Sequence, residues 1–132
     1  MAKIIIQEND GAVLDVLTQA LQMEGHRPIP ILGPCPDQMS IYIESHNPDL
    51  VLVDYRSNSC QGSSLLDTIR RISSKLPIIV LSCELNIAKA ISKLGFTAYL
   101  TKPFNLDDLY ETINSMLNDK AANRSAWTLS PR

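Results

Sequence analysis

No apolar run in the chain exceeds four residues, the longest being Leu50 to Val53 and Ile78 to Leu81. A helix crossing a bilayer needs roughly 20, so no membrane span is predicted. Positive charge is also short: 12 Lys and Arg stand against 14 Asp and Glu, a net charge of −2. That leaves no basic footprint, and direct nucleic acid binding by this domain is not expected. The three cysteines, Cys35, Cys60 and Cys83, are an odd number without C-x-x-C spacing or neighbouring histidines, which predicts spectator thiols rather than a disulfide framework or a zinc site. Neither a G-x-G-x-x-G nor a Walker-type loop is found. Met-Ala-Lys runs straight into Ile4-Ile5-Ile6, too short for a signal-peptide core, so a cytoplasmic location is expected.

What is there suffices for one folded domain: 132 residues, 45% hydrophobic and 20% charged. Short aliphatic runs at Lys3 to Ile6, Leu50 to Val53 and Ile78 to Leu81 read as strands covered on both faces. Pro28 to Leu32 and Ala98 to Leu100 read as weaker strands. Pro28 and Pro30 put the former at a sheet edge, where missing donors are tolerated.

Helical spacing separates these strands at Val13, Leu17, Ala20 and Leu21; at Met39, Tyr42 and Ile43; at Leu65, Leu66, Ile69 and Ile72; at Ile87, Ile91 and Leu94; and at Leu106, Leu109, Ile113 and Leu117. Asn105 is the expected N-cap of the last helix, with Asp107 and Asp108 in its first turn. Five βα units predict a doubly wound parallel sheet of order 2-1-3-4-5.

Function in such sheets gathers at the carboxyl ends of the strands. There the chain places Glu8, Asn9 and Asp10 after the first strand, Asp54 after the third, Ser82 after the fourth, and Lys102 with Pro103 after the fifth. Taken singly, Asp54 reads as a turn residue, Ser82 as a helix-start hydroxyl and Lys102 as a surface charge. Together they describe a phosphoryl-transfer site: carboxylates suited to Mg²⁺, an acceptor carboxylate, and a lysine and a hydroxyl to hold phosphoryl oxygens.

The segments Lys3-Ile-Ile-Ile-Gln-Glu-Asn-Asp10, Pro48-Asp-Leu-Val-Leu-Val-Asp54, Pro77-Ile-Ile-Val-Leu-Ser82 and Ala98-Tyr-Leu-Thr-Lys-Pro-Phe104 resemble response regulator receiver domains in order and spacing, over about residues 3 to 118. Gly62, eight residues after Asp54, matches the glycine that opens the third helix of receivers. The resemblance implies a flavodoxin-like (βα)5 fold and a two-component switch rather than an enzyme turning over a metabolite. Asp54 would accept a phosphoryl group from a sensor histidine kinase or phosphotransfer protein, and Lys102 would pair with that group. Ser82 would move to meet it, followed by the Tyr99 ring. Glu8, Asn9, Asp54 and the backbone carbonyl of Arg56 would hold Mg²⁺, and the Lys102-Pro103 bond would be cis.

The match has gaps. Receivers usually present two aspartates where this chain has Glu8 and Asn9, so weaker Mg²⁺ binding is expected. Asn58 stands where a proline is common, and Thr97-Ala98 replaces the acidic pair of receivers fused to winged helices. The usual charged homodimer face, made by the fourth predicted helix, the fifth strand and the last helix, is correspondingly altered. Arg56 and Glu84 occupy positions that tune dephosphorylation in the family.

Residues 119–132 read as a linker or C-terminal tail, or as the start of a truncated output domain, since Trp127 and Leu129 alternate with polar neighbours. Two other functions compete with the switch. One is a phosphorylation-independent pseudo-receiver acting as a protein-interaction or dimerisation module. The other is a flavodoxin-type cofactor carrier, which Glu8 and Asp10 oppose by repelling a cofactor phosphate.

Overall fold

A computed structural model gives the structure of the protein and describes residues 2–33, 36–55, 60–83 and 97–122. In chain order the elements are β1 (Lys3–Glu8), α1 (Gly11–Met23), β2 (Arg27–Leu32), α2 (Pro36–His46), β3 (Leu50–Asp54), α3 (Cys60–Ile72), β4 (Ile78–Ser82), β5 (Thr97–Thr101) and α4 (Leu106–Ala122). The helix predicted around Ile87, Ile91 and Leu94 lies outside the described residues.

The strands form one parallel sheet in the expected order β2-β1-β3-β4-β5. Strand side chains alternate between faces, and both faces are buried, which is why the inner strands are continuously apolar. On one face Ile4, Ile6, Leu50, Leu52, Ile79 and Leu81 pack with Leu14, Leu17 and Leu21 of α1 and Leu109, Ile113 and Met116 of α4. On the other face Ile5, Val51, Val53, Ile78 and Val80 pack with Met39 and Ile43 of α2 and Leu65, Leu66 and Ile69 of α3. Each such side chain contributes roughly 1.5–3 kcal/mol on burial. Both packings hold the same strands from opposite sides and fix where their carboxyl ends lie.

β2 is the edge that its prolines predicted. The Arg27 N–H donates to Ala2 O at 2.8 Å and the Gly33 N–H to Glu8 O at 2.9 Å. Odd-numbered residues of β2 therefore face β1, and Pro28 and Pro30 turn their ring nitrogens outward, where no rung is lost.

α4 starts as expected, with Asn105 Oδ1 accepting from the Asp108 N–H at 2.7 Å. It continues to Ala122, past the point where the apolar spacing stops and a linker was expected to begin. Lys120, Ala121 and Ala122 are strong helix formers, which favours the extension.

Candidate functional site

Register brings the predicted residues to one sheet edge. β1 ends at Glu8, Asp54 lies opposite Leu81, and Ser82 lies opposite Thr101, one residue before Lys102. The Tyr55 N–H donates to Leu81 O at 2.9 Å and the Lys102 N–H to Ser82 O at 2.8 Å, so the ends are tied to one another through the backbone.

Lys102 Nζ lies 3.0 Å from Asp54 Oδ1 and 3.1 Å from Glu8 Oε2. The Asn9 side-chain amide donates to Asp54 Oδ2 at 2.9 Å, and the Asn9 N–H donates to Glu8 Oε1 at 3.0 Å. Glu8 is fully buried, Asp54 is 4% exposed and Ser82 is 1% exposed. Two buried carboxylates thus share the ammonium of Lys102, whose side chain is itself 20% exposed.

Burial raises the Glu8 pKa above the ordinary carboxylate value, and its hydrogen bond with Asp54 raises it further against the pull of Lys102. Burial also works against an Asp54 charge, but hydrogen bonds from Glu8, Lys102 and Asn9 outweigh it and hold that carboxyl below its ordinary value. Burial alone depresses Lys102, yet the two carboxylates prevail and raise it. Of the pair, Asp54 is the carboxylate the site keeps ionised, as a nucleophile must be.

The other predicted residues divide. Tyr99 is half-buried and packs against the α2 and α3 side of the core. The Lys102-Pro103 bond is cis. Asp10 corrects an expectation: it does not join the charge cluster but is exposed and caps α1, accepting from the Ala12 N–H at 2.9 Å and the Val13 N–H at 3.3 Å. Those N–H groups have no partner within the helix, and a short carboxylate at the cap serves them best. Arg56, Asn58 and Glu84 lie outside the described residues, as does the fourth predicted helix on the expected dimer face.

Gln7 was not singled out by the sequence reading. It is fully buried, accepts from the Asp54 N–H at 3.1 Å and donates to Gly33 O at 3.0 Å. An amide closing an otherwise aliphatic strand was the available signal, because a buried polar side chain must find partners.

Beside Lys102 a largely apolar groove of about 640 Å³ opens between α1 and the turn into α4, lined by Val13, Val16, Cys83, Pro103, Phe104 and Leu106 among others. Val16 is exposed, as is Leu106 to a lesser degree.

Residues 4–114 match the family model described as the response regulator receiver domain. The chain is 30% identical over 119 residues to the DNA-binding transcriptional regulator NtrC of Azospirillum brasilense, covering 89% of this chain and 24% of that protein. It is 26% identical over 122 residues to the transcriptional regulatory protein GlrR of Escherichia coli, covering 91% of this chain and 27% of that one. The first curated relatives are much longer, this chain spanning from 20% to 35% of their length. Among solved structures, NtrX from Brucella abortus superposes with a TM-score of 0.79 at 25% identity, over 93% of this chain and 28% of that one. A receiver domain protein from Clostridium thermocellum superposes at 0.78 with 24% identity, over 92% and 98%.

Proposed function

The chain belongs to the response regulator receiver domain family of two-component systems, and from that premise we propose that Asp54 accepts a phosphoryl group from a histidine kinase or phosphotransfer protein. The observation that supports this reading is the buried Asp54 carboxylate, with Lys102 Nζ 3.0 Å from one oxygen and the Asn9 amide 2.9 Å from the other. An Asp54 oxygen attacks phosphorus, the bond from phosphorus to the donor's imidazole nitrogen breaks, and that nitrogen leaves with the electron pair. The product is an acyl phosphate on Asp54. Lys102 compensates the charge that the phosphoryl oxygens bring, and the Ser82 hydroxyl, at the adjacent strand end, is the donor that follows them.

Glu8, Asp54 and the side-chain oxygen of Asn9 are hard oxygen donors at one edge and fit Mg²⁺, with the Arg56 carbonyl as the further ligand that the family implies. When bound, the ion supplies charge neutralisation for the transferring group. Asn9 stands where the family usually has an acid and brings an oxygen without a charge. Affinity is accordingly weaker than a paired aspartate would give.

The switched output is transcription, in line with the names of the longer relatives. A second reading, the pseudo-receiver, draws on the same contacts: Asn9 and Lys102 bond both oxygens of Asp54 from within the chain.

Incubation with acetyl phosphate, with and without Mg²⁺, followed by intact mass, separates these readings. The switch requires a Mg²⁺-dependent gain of one phosphoryl group that Asp54→Ala abolishes. No adduct at high Mg²⁺, and none from a cognate kinase, establishes the pseudo-receiver instead.

A further inference from the structure

β5 ends the sheet on the side away from β2, and its outer backbone is not used by the fold. The Lys102 N–H donates to Ser82 O at 2.8 Å, and the register runs from Ile78 opposite Thr97 to Ser82 opposite Thr101. Even-numbered residues of β5 therefore bond to β4, and Thr97, Tyr99 and Thr101 turn their N–H and C=O groups away from the sheet. Among the described residues the N–H groups of Tyr99 and Thr101 make no hydrogen bond within the chain. No proline interrupts β5. Such a row matches the backbone of one further extended chain.

A groove of about 590 Å³ adjoins this edge, between the end of β5 and the first turns of α4. Leu100, Pro103 and Phe104 supply its apolar part, and Asp108 and Glu111, about one turn apart on α4, its acidic part. Its lining holds no Lys or Arg among the described residues, and Asp108 is exposed. A chain bonded to β5 stands about 4.8 Å from it and sends every second side chain to the α4 face. A lysine or arginine there rests its aliphatic stem along Leu100 and Phe104 and brings its charge to Asp108. The rim thus selects among the chains that the edge could hold: a basic one is attracted and an acidic one repelled.

We propose that the β5 edge and this groove form a docking site for an extended, basic segment of a partner protein. The segment bonds through its backbone to Tyr99 and Thr101, and through a Lys or Arg side chain to Asp108. The site stands whether or not Asp54 takes up a phosphoryl group.

The probe is the peptide acetyl-Lys-Val-Lys-Val-Lys-Val-amide, set beside a copy methylated on every backbone nitrogen and a copy with Glu in place of Lys. Binding to the full chain is read by NMR titration and by residue-resolved amide hydrogen exchange.

With saturating peptide the Tyr99 and Thr101 amides exchange about tenfold more slowly, while Leu100, already bonded to β4, does not change. The methylated copy and the Glu copy each bind about tenfold more weakly or not at all. Asp108→Asn weakens the Lys peptide about threefold, as raised salt also does. The site is overturned if the peptide leaves the Tyr99 and Thr101 amides unprotected, or if the methylated copy binds as well as its parent. Protection of the same two amides that rises with protein concentration alone, together with a doubled mass, gives the edge to a second copy of this chain and overturns the basic partner.

Discussion

At the amino ends of the strands the Lys3 N–H finds Asp49 Oδ2 at 2.9 Å, the Asp49 N–H finds Lys3 O at 2.8 Å, and the Ala2 N–H finds His26 Nδ1 at 3.3 Å. At the carboxyl ends two buried carboxylates crowd one ammonium. Both ends bury polar groups and bond them, as the interior demands. The amino end matches donors to acceptors and so closes the sheet. The carboxyl end instead gathers two acidic side chains, an amide and an ammonium around one point, an arrangement of oxygens and charge suited to a cation and a phosphoryl group. Stability and reactivity are thus divided between the two ends of the same strands.

Removing the cation tests this division most severely. Lys102→Met leaves Glu8 and Asp54 facing each other, and phosphorylation by acetyl phosphate is expected to fall about a hundredfold. Stability by urea unfolding at neutral pH should drop by roughly 2 kcal/mol. An unchanged phosphorylation rate would show that charge compensation at this end comes from elsewhere.

A smaller effect, confined to stability, is expected at the opposite end. Asp49→Ala removes the acceptor of the Lys3 N–H and should cost about 1 kcal/mol in the urea midpoint, with phosphoryl uptake unaltered. If uptake falls as well, the two ends are coupled and the division is not real.

The smallest effect concerns pH. Burial, joined by the nearby N-terminal ammonium and opposed by Glu24, lowers the His26 pKa from its ordinary 6.5. The folded state then binds the imidazole proton less readily than the unfolded state. His26 therefore contributes stability that is present above about pH 6.5 and is lost as pH falls through its depressed folded value. His26→Gln should flatten that part of the curve of melting temperature against pH, and a curve that keeps its slope assigns the acid sensitivity to other groups.

Much of this was legible in the sequence because the informative residues sit at strand ends. Continuous aliphatic runs marked β1, β3 and β4, and Pro28 and Pro30 marked the edge, since two missing donors two residues apart fit only one side of a strand. Glu8, Asn9, Asp54, Ser82 and Lys102 followed those strands, and parallel topology alone was enough to bring them to one edge. Asp10 escaped this logic because helix capping, a local demand, drew its side chain away from its neighbours. Gln7 was illegible for the opposite reason: its amide bonds the Asp54 N–H and Gly33 O across the sheet, and hydrophobic patterning does not reveal such contacts. The last helix outran its apolar pattern because intrinsic propensity, unlike packing, leaves no periodic trace.

The outward-facing prolines of β2 have a consequence for the company this domain keeps. A parallel sheet is open at its sides, and an open side with free N–H groups is a template on which another extended chain can lay itself. Pro28 and Pro30 present ring carbons where two such groups would stand. A foreign strand arriving there meets gaps at alternate positions and cannot dock in register. The flank of the sheet beside the site is thereby closed to strand addition and to the aggregation that begins with it, even when many copies of the domain are crowded together.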